Sequence, residues 1–174
     1  LFEAWIGDDV GLVTYADVIA CFKQLTQSGT QIFFMVGNRD FLIGQAFYQA
    51  TGIVPLPDPS LVNIDNQDVL LMHGDTLCTD DLDYQAFRTL TRNPRWQEEF
   101  LAMTAAQRMQ RAAEYRQQSQ SMTAMKTDEI MDINVDAVSR AMTEHGVSLL
   151  IHGHTHRPQV HRLPQGERIV LGDW

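Results

Sequence analysis

Two histidines one residue apart, His154 and His156, sit in Ile151-His152-Gly153-His154-Thr155-His156, directly after the apolar run Val147–Leu150. A short glycine-containing loop that presents two neutral imidazoles is a natural transition-metal donor set. Two earlier places in the chain are built alike. Gly37-Asn38-Arg39-Asp40 follows the apolar run Gln31–Val36, and His73-Gly74-Asp75 follows Val69–Met72. Asn38 offers a carbonyl oxygen, and His73, His154 and His156 each offer a ring nitrogen. Such a mixed set suits Mn, Fe or Zn rather than Ca or Mg, which prefer all-oxygen shells. The sulfur of a structural zinc site is absent. A mixed site with open positions lowers the pKa of bound water, which is the chemistry of hydrolysis. Alone, Asn38 reads as a turn cap and His73 equally as a satisfied core histidine. His152, His145 and His161 read as structural or exposed. It is the repetition of one design at three strand ends that favours a metal.

The elements that must position these loops follow from periodicity and punctuation. Tyr15–Gln27 has apolar residues at helical spacing, and a second helix covers about Gly44–Thr51, with Pro55, Pro57 and Pro59 marking a loop. Leu61–Ile64 and Val69–Met72 flank Asp65-Asn66-Gln67-Asp68 as a hairpin. From Asp80 to about His145 the pattern is helical, broken at Asn93-Pro94 and loosened over the polar Gln117–Thr123. Val147–Ile151 is a strand, and Gln159–Leu163 pairs with Arg168–Leu171 through Pro164-Gln165-Gly166. Strand ends that carry polar glycine loops place a site at the carboxyl edge of a sheet, so the class is α/β.

The chain has 174 residues, 44% of them hydrophobic and 20% charged, which is ordinary for one globular domain. No apolar run approaches the length of a membrane span. Cys21 and Cys78 lie far apart and read as reduced, structural thiols of a cytoplasmic protein. The net charge of −9 argues against general nucleic-acid binding. It is unevenly spread. Residues 84–126 carry Arg88, Arg92, Arg95, Arg108, Arg111, Arg116 and Lys126 against Glu98, Glu99 and Glu114. That basic segment is either a solvated helix face or a surface for an anionic ligand or lipid. On the second reading, removing Arg108, Arg111 and Arg116 together weakens binding to anionic liposomes.

The Gly-Asn-Arg-Asp, His and Gly-His-x-His blocks, in this order, resemble the calcineurin-like metallophosphoesterases. Their fold, a layered β-sandwich flanked by helices, is therefore the expected architecture: a single domain over 1–174 with a helical cap inserted at about 80–126. The Asp-x-His and Gly-Asp blocks of that family would precede Leu1. With no initial Met and an abrupt close at Trp174, both ends read as cuts inside a domain. Within the superfamily, Leu1–Asp9, Gly37–Leu42, Met72–Asp81, Asp81-x-x-Tyr84-Gln85-Ala86-Phe87-Arg88, Ile130–Asn134 and His152–Pro158 resemble the UDP-2,3-diacylglucosamine pyrophosphohydrolases of lipid A biosynthesis. The resemblance implies Mn2+-dependent cleavage of the substrate's pyrophosphate by a pair of ions, giving UMP and 2,3-diacylglucosamine 1-phosphate. It implies one metal held by Asn38, His73 and His154 and the other by His156, each completed by the upstream blocks. Arg39 would stabilise transition-state charge, and Asp40 would orient a neighbouring ligand. Asn38, Arg39, Asp81, Ser119, Thr123, Lys126 and His154 would contact substrate. Trp96, Phe100, Leu101, Met103, Met109, Met122 and Met125 would line an acyl-chain chamber or simply pack the cap on itself. The implied location is the cytoplasmic face of the bacterial inner membrane. Two other readings compete: a relative acting on soluble nucleotides or phosphoproteins, and a metal-binding remnant without turnover.

Overall fold

A computed structural model describes residues 2–123, 130 and 132–173 of the chain. They fall into two compact units, one formed by 1–56 and 88–124 and the other by 57–87 and 125–174.

In the first unit, helices α1 (Asp8–Thr14), α2 (Ala16–Gln27) and α3 (Gln45–Thr51) accompany two short strands, β1 (Phe33–Phe34) and β2 (Val54–Pro55). The latter pair in parallel. The long strand expected over Gln31–Val36 is only two residues of ladder. Val54 and Leu56 donate to Ile32 and Phe34, and Pro55 between them faces away from β1, where its missing N–H leaves β2 unable to donate to a further strand. α1 escapes sequence periodicity because it is short and contains Gly11, a poor helix former. That glycine is required, since a Cβ there would run into the Trp5 ring. The core is aromatic: Phe2, Trp5 and Phe47 are buried with Ile6, Ile19, Leu42, Ile53 and Phe100. Phe2 and Trp5 have ring centroids 4.9 Å apart, and the Phe47 ring meets Trp5 edge-on at 5.3 Å.

α3 has no cap from its own N-terminal Gly44. Asp8 supplies one from α1. Its Oδ1 accepts from Gly44 N–H and Trp5 Nε1, and its Oδ2 from the N–H groups of Ala46 and Phe47. One carboxylate thus satisfies orphan donors of a distant helix and complements its dipole.

Helices α4 (Leu82–Thr91), α5 (Pro94–Leu101) and α6 (Ala105–Thr123) fill the expected helical segment. Asn93 caps α5 by accepting from Arg95 and Trp96 N–H, with Pro94 at the first turn where its missing N–H costs nothing. The polar Gln117–Thr123 stretch stays helical; glutamine is a good helix former, and an exposed end needs no apolar stripe. Phe100 belongs to the core rather than to an open chamber, with Trp96 stacked on it at 5.0 Å. Leu101 and Met109 are exposed, while Met125 and the side chain of Met122 lie outside the described residues.

Arg108 departs from the expectation of a lipid-facing cation. It is buried, donates to the Ile6 carbonyl at 2.6 Å and forks onto the Asp9 carboxylate. Gly7, at φ 122, leaves the space that its guanidinium fills. Arg116 pairs with Glu3 and Arg111 lies near Glu114, both on the surface.

The second unit is a five-stranded sheet in the order β3-β4-β5-β7-β6, formed by β3 (Ser60–Ile64), β4 (Gln67–Met72), β5 (Leu149–His152), β6 (Gln159–Leu163) and β7 (Gly166–Val170). The two hairpins are as the sequence predicts, and β4, β5 and β7 run parallel in the middle. Helix α7 (Val135–His145) lays Ala137, Val138 and Met142 against Leu70, Met72 and Leu150 of the sheet. Asn134 caps α7 through Ala137 N–H and holds the Asp80 carboxylate with its amide. A sheet flanked by helices meets the α/β expectation. Cys21 and Cys78 are not in a disulfide; Cys78 is buried, and burial pushes its thiol up to about 12, which keeps it protonated and unreactive. No helix among the described residues is long and apolar enough to cross a membrane.

Candidate functional site

β4 and β5 are adjacent and parallel, with Met72 opposite His152, so their C-terminal loops emerge side by side. The Gly153 N–H donates to the His73 carbonyl at 3.1 Å and ties the two loops together. The rings of His73 and His154 consequently meet edge-on, their centroids 5.0 Å apart. His154 and His156 both have left-handed backbones, φ 65 and 54, which non-glycine residues seldom adopt. Strain of that kind gathers at ligand-holding loops. Here it turns successive side chains off one tight turn, closed by Thr155 N–H to Gly153 carbonyl at 2.8 Å. His156 is exposed, with Nδ1 3.7 Å from Asp173.

Tyr84 on α4 backs this pair. Its ring lies 5.3 Å from that of His154, and its hydroxyl donates to Asp75 Oδ2 at 2.9 Å. Asp75 is fully buried. The sequence predicts a helical face with Tyr84 beside Asp81, but not the reach to His154, which depends on the 3-10 turn Asp75–Leu77 and on the placement of α4. Asp81 is nearly buried and accepts from Tyr84 N–H at 3.0 Å, capping α4. His73 N–H donates to Asp58 Oδ1 at 3.2 Å.

His152, the last residue of β5, is inside the unit. Burial drives its pKa down to about 4, so the ring is neutral. Arg168, also buried, is pushed below its ordinary value by desolvation and supported by Asp132. His161 is lowered by desolvation and by Arg168.

The Gly37–Asp40 loop belongs to the first unit. Asp40 is buried and accepts Gly37 N–H at 2.6 Å, so Asp40 rather than Asn38 closes the loop. Burial raises the Asp40 carboxyl and the Gly37 amide opposes that rise. Arg92 donates to the Gly37 carbonyl at 2.9 Å with its guanidinium over the Phe41 ring. Asn38 and Arg39 stand exposed at the tip. Ser119 is exposed on α6, Thr123 ends that helix, and Lys126 lies outside the described residues.

Two imidazoles that meet edge-on on strand-end loops fit a transition metal by donor chemistry. No group of three or more His, Cys, Asp or Glu side chains forms a metal cluster among the described residues.

A family model described as calcineurin-like phosphoesterase matches residues 4–158. The chain belongs to that family, whose members are hydrolases that use metal ions. It is 49% identical over its whole length to a protein of Chromohalobacter salexigens named UDP-2,3-diacylglucosamine hydrolase, covering 72% of that protein. Proteins of the same name from Pseudomonas entomophila and Serratia proteamaculans are 48% and 46% identical, with 74% of each covered. A solved structure of Vps29 with zinc from Entamoeba histolytica aligns over 99% of this chain and 67% of its own at a TM-score of 0.37 and 13% identity, too distant to carry an argument.

Proposed function

We propose that this protein hydrolyses the pyrophosphate bond of UDP-2,3-diacylglucosamine in a Mn2+-dependent reaction, releasing UMP and 2,3-diacylglucosamine 1-phosphate in lipid A biosynthesis. The observation that carries the reading is the His73–His154 pair on adjacent parallel strand ends, in a chain nearly half identical to proteins named for that substrate. His73, His154 and His156 would be the nitrogen donors to a pair of ions, and Asn38 an oxygen donor. When bound, such ions polarise the phosphoryl group and lower the pKa of water.

The rest of the work belongs to side chains. Arg39, exposed at its loop tip, has a planar fork that can grip two phosphoryl oxygens and offset charge that grows in the transition state. It cannot donate a proton at neutral pH, so its part is electrostatic. Asp40 acts through the loop: by accepting Gly37 N–H from a buried position it fixes the tip that carries Asn38 and Arg39. Asp81, Ser119, Thr123 and Lys126 would contact the glucosamine phosphate, on a helical insertion of a single phosphoesterase domain. A lipid substrate also calls for peripheral attachment to an anionic membrane on the cytoplasmic face, for which the exposed Arg95, Arg111 and Arg116 supply charge.

The test is UMP release by the intact protein from detergent-dispersed UDP-2,3-diacylglucosamine with Mn2+, before and after chelation. UMP release that depends on Mn2+ and falls at least a hundredfold in His73→Ala supports the proposal. Cleavage of soluble nucleotides but not of the lipid would replace it with the soluble-substrate reading.

A further inference from the structure

Between the two histidine loops lies one glycine, Gly153, held through both of its peptide groups. The Gly153 carbonyl accepts Thr155 N–H at 2.8 Å and lies 2.9 Å from His152 Nδ1, while the Gly153 N–H donates to the His73 carbonyl at 3.1 Å. A carbonyl can only accept, so Nδ1 of His152 carries the proton and Nε2 does not. His152 Nε2 is buried without a hydrogen-bond partner among the described residues, as a ring nitrogen that carries no proton to donate can be. Gly74 completes the arrangement. It follows His73 at φ 109, and a Cβ there would stand 2.8 Å from His152 Nδ1 and 3.2 Å from the Gly153 carbonyl oxygen. The bare glycine lets the buried ring lie against both loops at once.

We infer that His152 is a positioning residue: its Nδ1–H, donated to the Gly153 carbonyl, fixes the glycine whose N–H ties the two loops together and so sets His73 and His154 at their mutual angle. Nothing in this role requires His152 to touch metal or substrate. Its ring is 1% exposed. The hydrogen bond acts on the residue immediately before His154, whose left-handed backbone needs an outside restraint to persist. Partners that orient ligands in this way, when removed, weaken metal affinity by roughly 10–100-fold.

The inference rests on the reading of His73 and His154 as metal ligands, and the experiment separates the two. Mn2+ affinity of the intact protein is measured by electron paramagnetic resonance and kcat and KM for UMP release are measured on the same samples. His152→Leu should bind Mn2+ at least about tenfold more weakly and lose kcat with little change in KM. His152→Asn, whose amide nitrogen falls where Nδ1 was, should restore affinity to within about threefold of wild type, whereas His152→Gln, whose amide reaches the Nε2 position, should not. Wild-type affinity in His152→Leu, or equal affinity in the Asn and Gln variants, overturns the positioning role. The Asn–Gln comparison decides the matter even where the leucine variant does not fold. Unchanged Mn2+ affinity in His73→Ala overturns the metal reading itself, and the positioning role with it.

Discussion

Asp9 and Arg108 make an unequal pair, and the inequality predicts which partner matters more to folding. The Arg108 side chain is 4% exposed and that of Asp9 63%. Replacing Asp9 by Ala strands a buried guanidinium that, among the described residues, keeps only its bond to the Ile6 carbonyl. Breaking a buried pair from one side costs about 3–5 kcal/mol, and solvent at the exposed carboxylate trims this to roughly 2–4 kcal/mol here. Replacing Arg108 by Met returns Asp9 to water almost free, keeps the aliphatic stem and leaves the Ile6 carbonyl short of one donor, a cost of about 1–2 kcal/mol. The double variant should then sit close to Arg108→Met alone. Urea unfolding at pH 7 of the four proteins reads this directly as a coupling energy. pH supplies a second check. Arg108 holds the Asp9 carboxyl below its ordinary 3.8, so the pair's contribution is fully present above that value and fades as pH falls through the lower folded-state pKa. The gap between wild type and Asp9→Ala should therefore close in strong acid. An Arg108→Met variant less stable than Asp9→Ala, or strictly additive losses in the double variant, would refute the reasoning.

Asp8→Ala should cost about 2–3 kcal/mol in the same assay, since it removes the trans cap of α3 and the Trp5 indole partner together; a loss under ~0.5 kcal/mol would show that water replaces the carboxylate. Gly7→Ala should lower the thermal midpoint by several degrees through its positive φ and its collision with Arg108, and an unshifted midpoint would contradict the close packing. Charge reversal of Arg95, Arg111 and Arg116, leaving Arg108 untouched, should weaken sedimentation with anionic vesicles at low salt. Equal binding at low and high salt would remove the electrostatic account of membrane attachment.

Much of the second unit was legible because its signals are local. Alternating apolar runs, the Asp65–Asp68 turn and Pro164-Gln165-Gly166 fix both hairpins, and strand-end glycines announce where His73 and His154 emerge. Their meeting at 5.0 Å was not legible, since it depends on β4 and β5 being neighbours in register across nearly 80 intervening residues. The first unit hid more. α1 is seven residues long with a glycine inside, and its Asp8 serves a helix 36 residues away. No periodicity encodes such a bond. Charge counting misled at Arg108, because a linear tally cannot tell a buried arginine forked onto Asp9 from one facing solvent. His152 looked like a strand-end residue, which it is. Its hold on the Gly153 carbonyl became visible only with the absent Cβ of Gly74 beside it.

The central claim is that the His73–His154 pair is half of a working metal site. Its most direct test loads the intact protein with Mn2+ and determines bound metal and UMP-releasing activity on the same samples of wild type, His73→Ala and His154→Ala. The account predicts that each variant loses bound metal and activity together, both restored in part by excess Mn2+. Full metal occupancy with full activity in either variant would contradict it.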